Sequence, residues 1–254
     1  MNLDTFFKPK SIAVIGASRN KNKIGRIIFD QLAKNFKVFP VNPNAKRIGS
    51  YKSFKSILEI EEKVDLAVIA IPAKFVPSAL KDCVEKGVKS VIIISGGFSE
   101  TGTREGKKLE EKLKKVVKES KTRFIGPNVM GLYDAYTNLD TIFIPKKRMK
   151  RPGRGSISFI SQSGAVGVSI LDWLAEKKIG ISKFVSYGNA TDVNECDLLE
   201  YMINDRMTKV VTLYLEGIKG DGKRFIKIAK KLTKKKPVVV LKAGKTKKGM
   251  KAVM

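Results

Sequence analysis

The sequence predicts an α/β fold made of two doubly wound units, each with a parallel sheet between helices. Two features of the chain carry this prediction. Short apolar runs alternate with longer amphipathic segments of helical spacing along the chain. Most apolar runs also end near glycine, proline or asparagine, which is typical of strands that turn sharply into a following helix. Such β-α-β alternation builds a parallel sheet covered by helices on both faces.

The first half of the chain holds five predicted strands and three predicted helices. The strands are the short apolar runs at residues 11–15, 37–41, 65–71, 90–94 and 122–125. Apolar side chains recur at helical spacing over residues 23–35, 75–86 and 104–120. The order of these elements predicts a first domain over residues 1–146.

The alternation restarts after a polar segment at residues 145–153, which is bracketed by prolines and ends in glycine. This composition predicts a linker. Strands are then predicted at residues 155–161, 181–187, 210–215 and 237–241. Helices are predicted at residues 165–178, 195–204 and 222–232. We therefore predict a second, smaller doubly wound domain over residues 147–254, incomplete at its C-terminal end.

The 254 residues include no histidine. Histidine is the side chain best suited to proton transfer near neutral pH and a frequent metal ligand. Its absence excludes Ser-His-Asp and Cys-His mechanisms, and His-ligated metal sites, within this chain. The two cysteines, Cys83 and Cys196, lie in separate predicted elements without CxxC spacing. We expect both to be reduced and to serve packing, and we predict no metal site.

The chain shows no sequence feature of export or membrane insertion. Its N-terminus lacks the basic and apolar regions of a signal peptide. No apolar run approaches the roughly 20 residues that span a bilayer. We therefore expect a cytoplasmic protein that has no membrane partner.

The net charge of +27 has two interpretations. A basic patch would bind nucleic acid, whereas lysine-rich solvated helix faces are typical of thermophile proteins. The second interpretation is favoured because aromatic residues are not interleaved with the basic runs and no nucleic-acid-binding motif is present. We therefore expect no nucleic-acid partner. A small ligand that carries several phosphates would also gain from the positive field.

The first predicted strand runs into a helix through a glycine-rich turn from Gly16 to Gly25. A tight turn of this kind delivers a phosphate to free N–H groups at a helix N-terminus. The turn does not match the dinucleotide fingerprint, since Ser18 and Lys21 stand where glycines are required. A phosphate-binding turn and a purely structural turn therefore both stay open at this point. Basic residues within the turn favour phosphate.

Several motifs fall at the ends of predicted strands, on the edge where open α/β sheets bind ligands. In the first half they are Gly16-Ala-Ser18, Val41-Asn-Pro43, Ile69-Ala-Ile-Pro-Ala73, Ile94-Ser-Gly-Gly-Phe-Ser-Glu-Thr-Gly102 and Phe124-Ile-Gly-Pro-Asn128. In the second half they are Phe159-Ile-Ser-Gln-Ser-Gly-Ala165, Ser186-Tyr-Gly-Asn189, Asp192 and residues 197–201, 208–218 and 238–246. In this order they resemble the nucleoside-diphosphate-forming acyl-CoA synthetases. That family includes ADP-forming acetyl-CoA synthetase and, more distantly, the succinyl-CoA synthetase α subunit.

The resemblance covers essentially the whole chain and implies a Rossmann-like CoA-binding domain followed by a smaller flavodoxin-like domain. It implies that coenzyme A binds to Gly16, Ala17, Ser18, Arg19, Lys23, Ile24, Gly25, Asn42, Pro43, Asn44, Ile71, Pro72, Ala73, Ser95, Gly96, Gly97 and Phe98. It places phosphate on Ser161, Gln162, Ser163, Gly164 and Ala165. It gives catalytic roles to Glu216 and Asn128.

These residues also allow plainer roles. Ser163 suits an ordinary helix N-cap, and Asn128 suits a turn after proline. Glu216 would be a solvated loop acid if the resemblance were set aside.

Members of the family interconvert acyl-CoA, phosphate and ADP with free acid, CoA and ATP. The resemblance implies that phosphate attacks the thioester and that a histidine takes the phosphoryl group from the resulting acyl phosphate. Glu216 would hydrogen-bond the imidazole, while aligned backbone N–H groups stabilise the phosphoryl charge. An ATP-grasp β-type subunit or domain, which holds ADP or ATP with Mg²⁺, is the implied partner.

The chain departs from the family at two points. Val129 stands where the family usually has cysteine. The chain also stops just before the place where the family carries its phosphohistidine. We therefore expect a fragment that binds CoA and phosphate, associates into an oligomer and is inactive alone. A non-catalytic CoA-binding sensor or scaffold is the alternative, and a basic nucleic-acid binder is a third hypothesis.

Overall fold

The computed structural model describes residues 3–244, so part of the predicted motif at residues 238–246 and the predicted end of the second domain lie outside the described residues. The first half contains α1 Asp4–Phe7, β1 Ser11–Ile15, α2 Ile24–Leu32, β2 Lys37–Val41, β3 Arg47–Ile48, β4 Tyr51–Lys52, β5 Leu66–Ile69, α3 Val76–Glu85, β6 Ser90–Ile93, α4 Arg104–Val117 and β7 Arg123–Ile125. The chain continues with β8 Leu132–Asp134, β9 Leu139–Asp140, β10 Arg154–Ser161, α5 Gly164–Glu176, β11 Ile181–Ser186, α6 Glu195–Asn204, β12 Val210–Leu215, α7 Gly222–Thr233 and β13 Val238–Lys242. Every helix and strand predicted within these residues is present, with ends that shift by a few residues.

The first sheet is fully parallel, with strand order β2-β1-β5-β6-β7. All residues of β1, β5 and β6 are buried because helices cover both faces. The chain passes from β1 to β2 on one side of the sheet centre, and from β5 to β6 on the other side. This reversal opens a crevice at the carboxyl ends of β1 and β5, which is where doubly wound sheets bind ligands.

The second sheet has strand order β13-β12-β10-β11-β8-β9. Its four long strands are parallel, whereas β8 pairs with β11 in the antiparallel sense, with Val185 opposite Leu132. Strands β8 and β9 precede residue 146, so this sheet begins before the predicted domain boundary. The reason is local: the chain turns back at Gly131 and adds a short hairpin to the free edge of β11.

The polar segment at residues 145–153, predicted as a linker, is packed against this hairpin. Arg151 is buried and pairs with the buried Asp140, with its Nε 3.1 Å from Oδ2. The guanidinium also donates to the carbonyl of Ile144 at 2.7 Å. These contacts hold the connection against the second sheet.

The two halves share one apolar core. Buried side chains from the first half, such as Val14 and Ile125, belong to the same cluster as Ile160 and Val185 from the second half. Main-chain hydrogen bonds also cross between the halves: the Thr191 N–H donates to the Gly126 carbonyl, and the Val193 N–H donates to Phe124, both at 3.1 Å. The carboxyl edges of the two sheets are therefore held next to each other.

Capping residues fix the helix ends that lie near these edges. Asn194 and Asp197 form a reciprocal capping box at the start of α6, and Asp221 caps α7. Thr103 caps α4 by accepting from the Gly106 N–H at 3.1 Å. Among the described residues, no helix has the length and apolar character needed to cross a bilayer.

Candidate functional site

A cavity of about 1750 Å³ lies between the carboxyl edges of the two sheets and is lined by residues from both halves. It brings most of the predicted site residues together. Those that line it are Gly16, Ser18, Lys23, Ile24, Gly25, Asn42, Pro43, Asn44, Ile71, Pro72, Ser95, Gly96, Asn128, Gln162, Ser163, Gly164, Ala165 and Glu216. Six predicted site residues are not part of the lining: Ala17, Arg19, Ala73, Gly97, Phe98 and Ser161.

Glycine packing holds the first loop and α2 close to the sheet. Gly16 has φ +95°, and a Cβ there would lie 2.3 Å from the carbonyl oxygen of Ala70. A Cβ on Gly25 would lie 2.0 Å from the Gly16 carbonyl oxygen. Any larger side chain at either position would push the helix away from β1. The N-terminus of α2 is thereby fixed at the floor of the crevice.

The start of α2 is available to an anion. Lys23 occupies the N-cap position and makes no side-chain cap, so it leaves the first helical N–H groups without the usual capping acceptor. The loop itself is ordered by short-range bonds, in which the Asn20 N–H donates to Ser18 Oγ at 3.1 Å. Free N–H groups beside a lysine suit a phosphate.

Two side chains tie neighbouring strand ends together. Asn42 Nδ2 donates to the Ala17 carbonyl at 2.7 Å, which joins the loop after β2 to the loop after β1. Ser95 donates its hydroxyl to the Ile71 carbonyl at 2.6 Å and accepts from the Ile71 N–H at 3.2 Å. Both residues line the cavity, so each orders its wall whether or not it touches a ligand.

The glycine-rich loop after β6 uses its N–H groups internally. The Gly97 N–H donates to Glu100 Oε1 at 2.6 Å, and the Phe98 N–H donates to the same oxygen at 3.1 Å. Phe98 itself is fully buried. These two predicted contact residues therefore shape the loop from behind, and Gly96 and Ser99 form its cavity face.

The second anion-binding candidate is the N-terminus of α5. The Ser161 hydroxyl is buried and donates to the Ser163 carbonyl at 2.6 Å, so it faces away from the cavity. Ser163 is the N-cap and accepts from the Val166 N–H at 3.4 Å, a long bond. The N–H groups of Gly164 and Ala165 come next, at positions that have no acceptor inside a helix. The plain N-cap role of Ser163 is thus present, and the first turn stays open to an anion.

Gln162 joins this helix start to Glu216. Its Oε1 accepts from the Glu216 N–H at 2.8 Å and from the Gly217 N–H at 3.1 Å. The loop that follows is fixed by the buried Glu195, whose Oε1 accepts from the Lys219 and Gly220 N–H groups at 2.9 and 2.8 Å. The loop that carries Glu216 is therefore held in place by two buried side chains.

The Glu216 carboxylate lines the cavity, and no residue among 3–244 donates a hydrogen bond to it. Burial raises the pKa of Glu216 above its ordinary value, although the positive charges of Lys219 and Lys242 oppose this. Lys242 also donates to the Glu216 carbonyl at 2.8 Å. An exposed edge of a partly desolvated carboxylate can accept a hydrogen bond from a group that enters the cavity.

Asn128 and Asn189 lie where the two halves meet above the cavity. Asn128 has φ +62°, and its N–H donates to the Ser95 carbonyl at 2.9 Å. Asn189 Nδ2 donates to Glu100 Oε2 at 2.6 Å and to Glu110 Oε2 at 2.8 Å. Asn189 therefore forms a hydrogen-bonded latch that links the second half to the loop after β6 and to helix α4.

The sequence did not single out Asn189, Glu100 or Glu110 as site residues. The sequence signal for Asn189 was its place in the strand-end motif Ser186-Tyr-Gly-Asn189. In the structure it lies between Gly188 at φ +53° and Ala190 at φ +54°, and left-handed residues at the carboxyl edge of a strand indicate a loop shaped for a site. The contacts to Glu100 and Glu110 span about 80 residues of chain and leave no local pattern.

The cavity wall carries charges of both signs. Its cationic lining residues are Lys23, Lys55, Lys107, Lys114 and Lys219, and its acidic lining residues are Asp82, Glu100, Glu110 and Glu216. Both cysteines are buried, and burial raises the pKa of Cys196 to about 11, which keeps its thiol protonated at neutral pH. Among residues 3–244, no three His, Cys, Asp or Glu side chains converge as a metal site would require. The cavity can therefore bind polyanions through N–H groups and lysines, next to the Glu216 carboxylate.

Comparison with known proteins assigns both halves. A family described as "CoA binding domain" matches residues 10–134, and one described as "Succinyl-CoA ligase like flavodoxin domain" matches residues 154–254. The α subunit of acetate–CoA ligase [ADP-forming] II from Pyrococcus furiosus is 46% identical over 252 residues, which is 98% of this chain and 54% of the relative. Acetate–CoA ligase [ADP-forming] from Methanocaldococcus jannaschii is 47% identical over 96% of this chain and 34% of the relative.

A solved structure extends the likeness to three dimensions. The dinucleotide-forming acetyl-coenzyme A synthetase 1 of Ca. Korarchaeum cryptofilum, in complex with phosphate and ADP, has a TM-score of 0.91 and 38% identity. The match covers 99% of this chain and 54% of that one. The chain thus spans a third to about half of the length of these relatives. On these matches and motifs, the chain belongs to the nucleoside-diphosphate-forming acyl-CoA synthetase family.

Proposed function

We propose that this chain is the CoA- and phosphate-binding part of an ADP-forming acyl-CoA synthetase. The assembled enzyme converts acyl-CoA, ADP and phosphate to free acid, ATP and CoA. Acetate is the proposed acid, because the two curated relatives described above are named as acetate–CoA ligases. The lysines that line the cavity serve these polyanionic substrates.

One observation carries the proposal: a single cavity joins the first helix start to the second. The open N-terminus of α2 and the open N-terminus of α5 belong to different halves, yet both line the same space, together with Glu216. Coenzyme A bound with its phosphates at Lys23, Ile24 and Gly25 would extend its thiol along the crevice toward Asn128. A phosphate held by Gly164 and Ala165 would then lie near the thioester.

The chemistry begins with attack of a phosphate oxygen on the thioester carbonyl carbon. A C–O bond forms, the C–S bond breaks, and the CoA thiolate leaves and takes up a proton. The N–H groups at the start of α5 hold the phosphate and its developing charge. A histidine nitrogen then attacks the phosphorus of the acyl phosphate, and the carboxylate leaves as free acid.

The 254 residues contain no histidine, so the histidine lies outside them. Its imidazole enters the cavity and donates a hydrogen bond to Glu216, which fixes the ring and stabilises the phosphorylated form. An ATP-grasp β-type subunit or domain then passes the phosphoryl group to ADP. The nucleotide and Mg²⁺ bind to that subunit or domain, and the complete enzyme is an oligomer.

The proposal is tested by calorimetry and by reconstitution. The purified chain should bind CoA on its own and produce no acetate or ATP from acetyl-CoA. Acetate and ATP should form when phosphate, ADP, an ATP-grasp subunit and a polypeptide with the family's histidine segment are added. The Glu216→Ala variant should bind CoA as the wild type does and should fail in reconstitution.

The alternatives make different predictions. A CoA-binding sensor or scaffold would bind CoA and stay inactive in every reconstitution, which would overturn the catalytic assignment. A chain that binds salt-sensitively to DNA or RNA but not to CoA would overturn the whole proposal.

A further inference from the structure

The side-chain amide of Gln162 has an oxygen and a nitrogen, and the surrounding hydrogen bonds show how the two atoms are oriented. The residue follows β10 directly and is 6% exposed. The backbone N–H groups of Glu216 and Gly217 are donors only, so the side-chain atom 2.8 and 3.1 Å away must be the carbonyl oxygen Oε1. Tyr187 supplies a third, longer donor contact to the same oxygen at 3.5 Å. The amide nitrogen Nε2 therefore points to the other side.

The unusual feature of the Gln162 side chain is its amide nitrogen, Nε2. No acceptor among residues 3–244 bonds to Nε2, although the side chain is more than nine-tenths buried. Nε2 is not one of the fully enclosed side-chain atoms that lack a partner in the described residues, so it is accessible from the cavity and can donate to a ligand there. Gln162 lines the cavity directly before Ser163, Gly164 and Ala165, where the free N–H groups of α5 also point.

We propose that Gln162 is a positioning residue that couples phosphate binding at α5 to the placement of Glu216. The bound anion accepts from Nε2, which fixes the amide plane. The fixed plane strengthens the hold of Oε1 on the Glu216 and Gly217 N–H groups, so that phosphate binding further restricts the loop that carries the carboxylate. This inference rests on the proposed function, and it adds a role for Gln162 that phosphate contact alone would not give.

The test follows backbone amides by NMR while inorganic phosphate is added to the whole chain. In the wild type, the amide signals of Ala165, Glu216 and Gly217 should all shift with one dissociation constant. In Gln162→Met, the Ala165 signal should still shift, whereas the Glu216 and Gly217 signals should no longer respond. Gln31→Met is the matched control, because Gln31 is the other glutamine of the chain and bonds to the Ile142 carbonyl instead.

A second variant keeps the test decisive if Gln162→Met does not fold. Gln162→Glu preserves an oxygen for the two N–H groups but places a second oxygen toward the anion. Phosphate affinity should fall tenfold or more, and in the absence of phosphate the Glu216 and Gly217 signals should resemble those of the wild type. Undiminished phosphate affinity would contradict the proposed Nε2 contact.

The outcomes distinguish failure of the coupling from failure of the phosphate site. If Ala165 responds in the wild type and the loop amides shift equally in Gln162→Met, the coupling is wrong while the proposed phosphate site stands. If Ala165 does not respond to phosphate in the wild type, the phosphate site is wrong, and the coupling falls with it.

Discussion

The two helix starts that face the cavity are built in different ways. The start of α2 is placed by backbone contact, because Gly25 and Gly16 meet with no room for a side chain. The start of α5 is placed by side chains: Ser161 and Ser163 order the turn, and Gln162 ties it to the loop of Glu216. The first arrangement makes a rigid cradle. The second links an anion site to a carboxylate and can therefore respond when the anion binds.

The difference predicts how each site tolerates substitution. A cradle made by glycine contact should fail sharply when a methyl group is added. A site made by side-chain bonds should weaken in steps as single bonds are removed. The four predictions below test this contrast, in order of expected effect.

Gly25→Ala should have the largest effect. The added Cβ would lie 2.0 Å from the Gly16 carbonyl oxygen, so α2 must move away from β1. We expect the free energy of unfolding to fall by about 1–3 kcal/mol, as for other overpacked sites, and CoA affinity to fall at least tenfold. Urea unfolding and calorimetry measure these changes. Gly153→Ala is the control, since nothing lies within 4 Å of its Cβ position. Unchanged CoA affinity in Gly25→Ala would contradict the claim that contact between Gly25 and Gly16 shapes the CoA site.

Asn189→Ala tests the latch that holds the two helix starts at one cavity. The substitution removes donors from Glu100 and Glu110, whose carboxylates then face each other without a bridging N–H₂ group. We expect a loss of about 2 kcal/mol in the free energy of unfolding, because the buried Glu110 carboxylate and the half-buried Glu100 carboxylate each lose one donor. Faster amide hydrogen exchange at residues 186–194 should accompany it. The exposed Asn35→Ala variant should show neither change.

Ser163→Ala removes one side-chain bond from the second helix start. The bond to the Val166 N–H is long, at 3.4 Å, so we expect a loss of about 0.5 kcal/mol, at the low end for an N-cap. Thr103→Ala removes the shorter cap of α4 and should cost about 1 kcal/mol. Phosphate affinity should fall less than tenfold in Ser163→Ala. Complete loss of phosphate binding would show that this site is as rigid as the first.

Glu216→Gln should give the smallest effect on stability, and one of opposite sign. Burial raises the pKa of Glu216 in the folded chain, so ionising this carboxyl costs more in the folded chain than in the unfolded one. Its stabilising contribution is present below the unfolded pKa of about 4.3 and is lost as pH rises through the folded value. The neutral amide should therefore raise the melting temperature at pH 7.

The same variant should lose this advantage at about pH 4, where the wild-type carboxyl is protonated. Melting curves at both pH values measure the difference. The exposed Glu111→Gln variant should show no gain at pH 7. A lower melting temperature for Glu216→Gln at pH 7 would mean that Lys219 and Lys242 stabilise the carboxylate more than burial destabilises it.

The contrast between the two sites also shows what the sequence could predict. The buried strands β1, β5 and β6 are short apolar runs with turn residues behind them, so the local sequence pattern predicted their ends to within two residues. The hairpin of β8 and β9 was not predicted, because strands this short show too little periodicity. Their position is set by the pairing of β8 with the edge of β11.

Long-range contacts account for the rest of what was missed. Gln162 was predicted as a phosphate ligand, but its bond to the Glu216 N–H joins residues that are 54 positions apart. The same holds for Asn189 and Glu110, which are 79 positions apart. No local spacing encodes such pairs. The sequence therefore predicts which loops meet at the cavity and leaves open which side chains hold them there.

The most direct test of the central claim is a crystal structure of the chain with CoA and inorganic phosphate. The claim is that one cavity holds both ligands, one at each helix start. We predict CoA phosphates at the N-terminus of α2, phosphate at Gly164 and Ala165, and the CoA sulfur directed toward that phosphate past Asn128. A structure with CoA bound outside the cavity, or with its sulfur directed away from α5, would contradict the account.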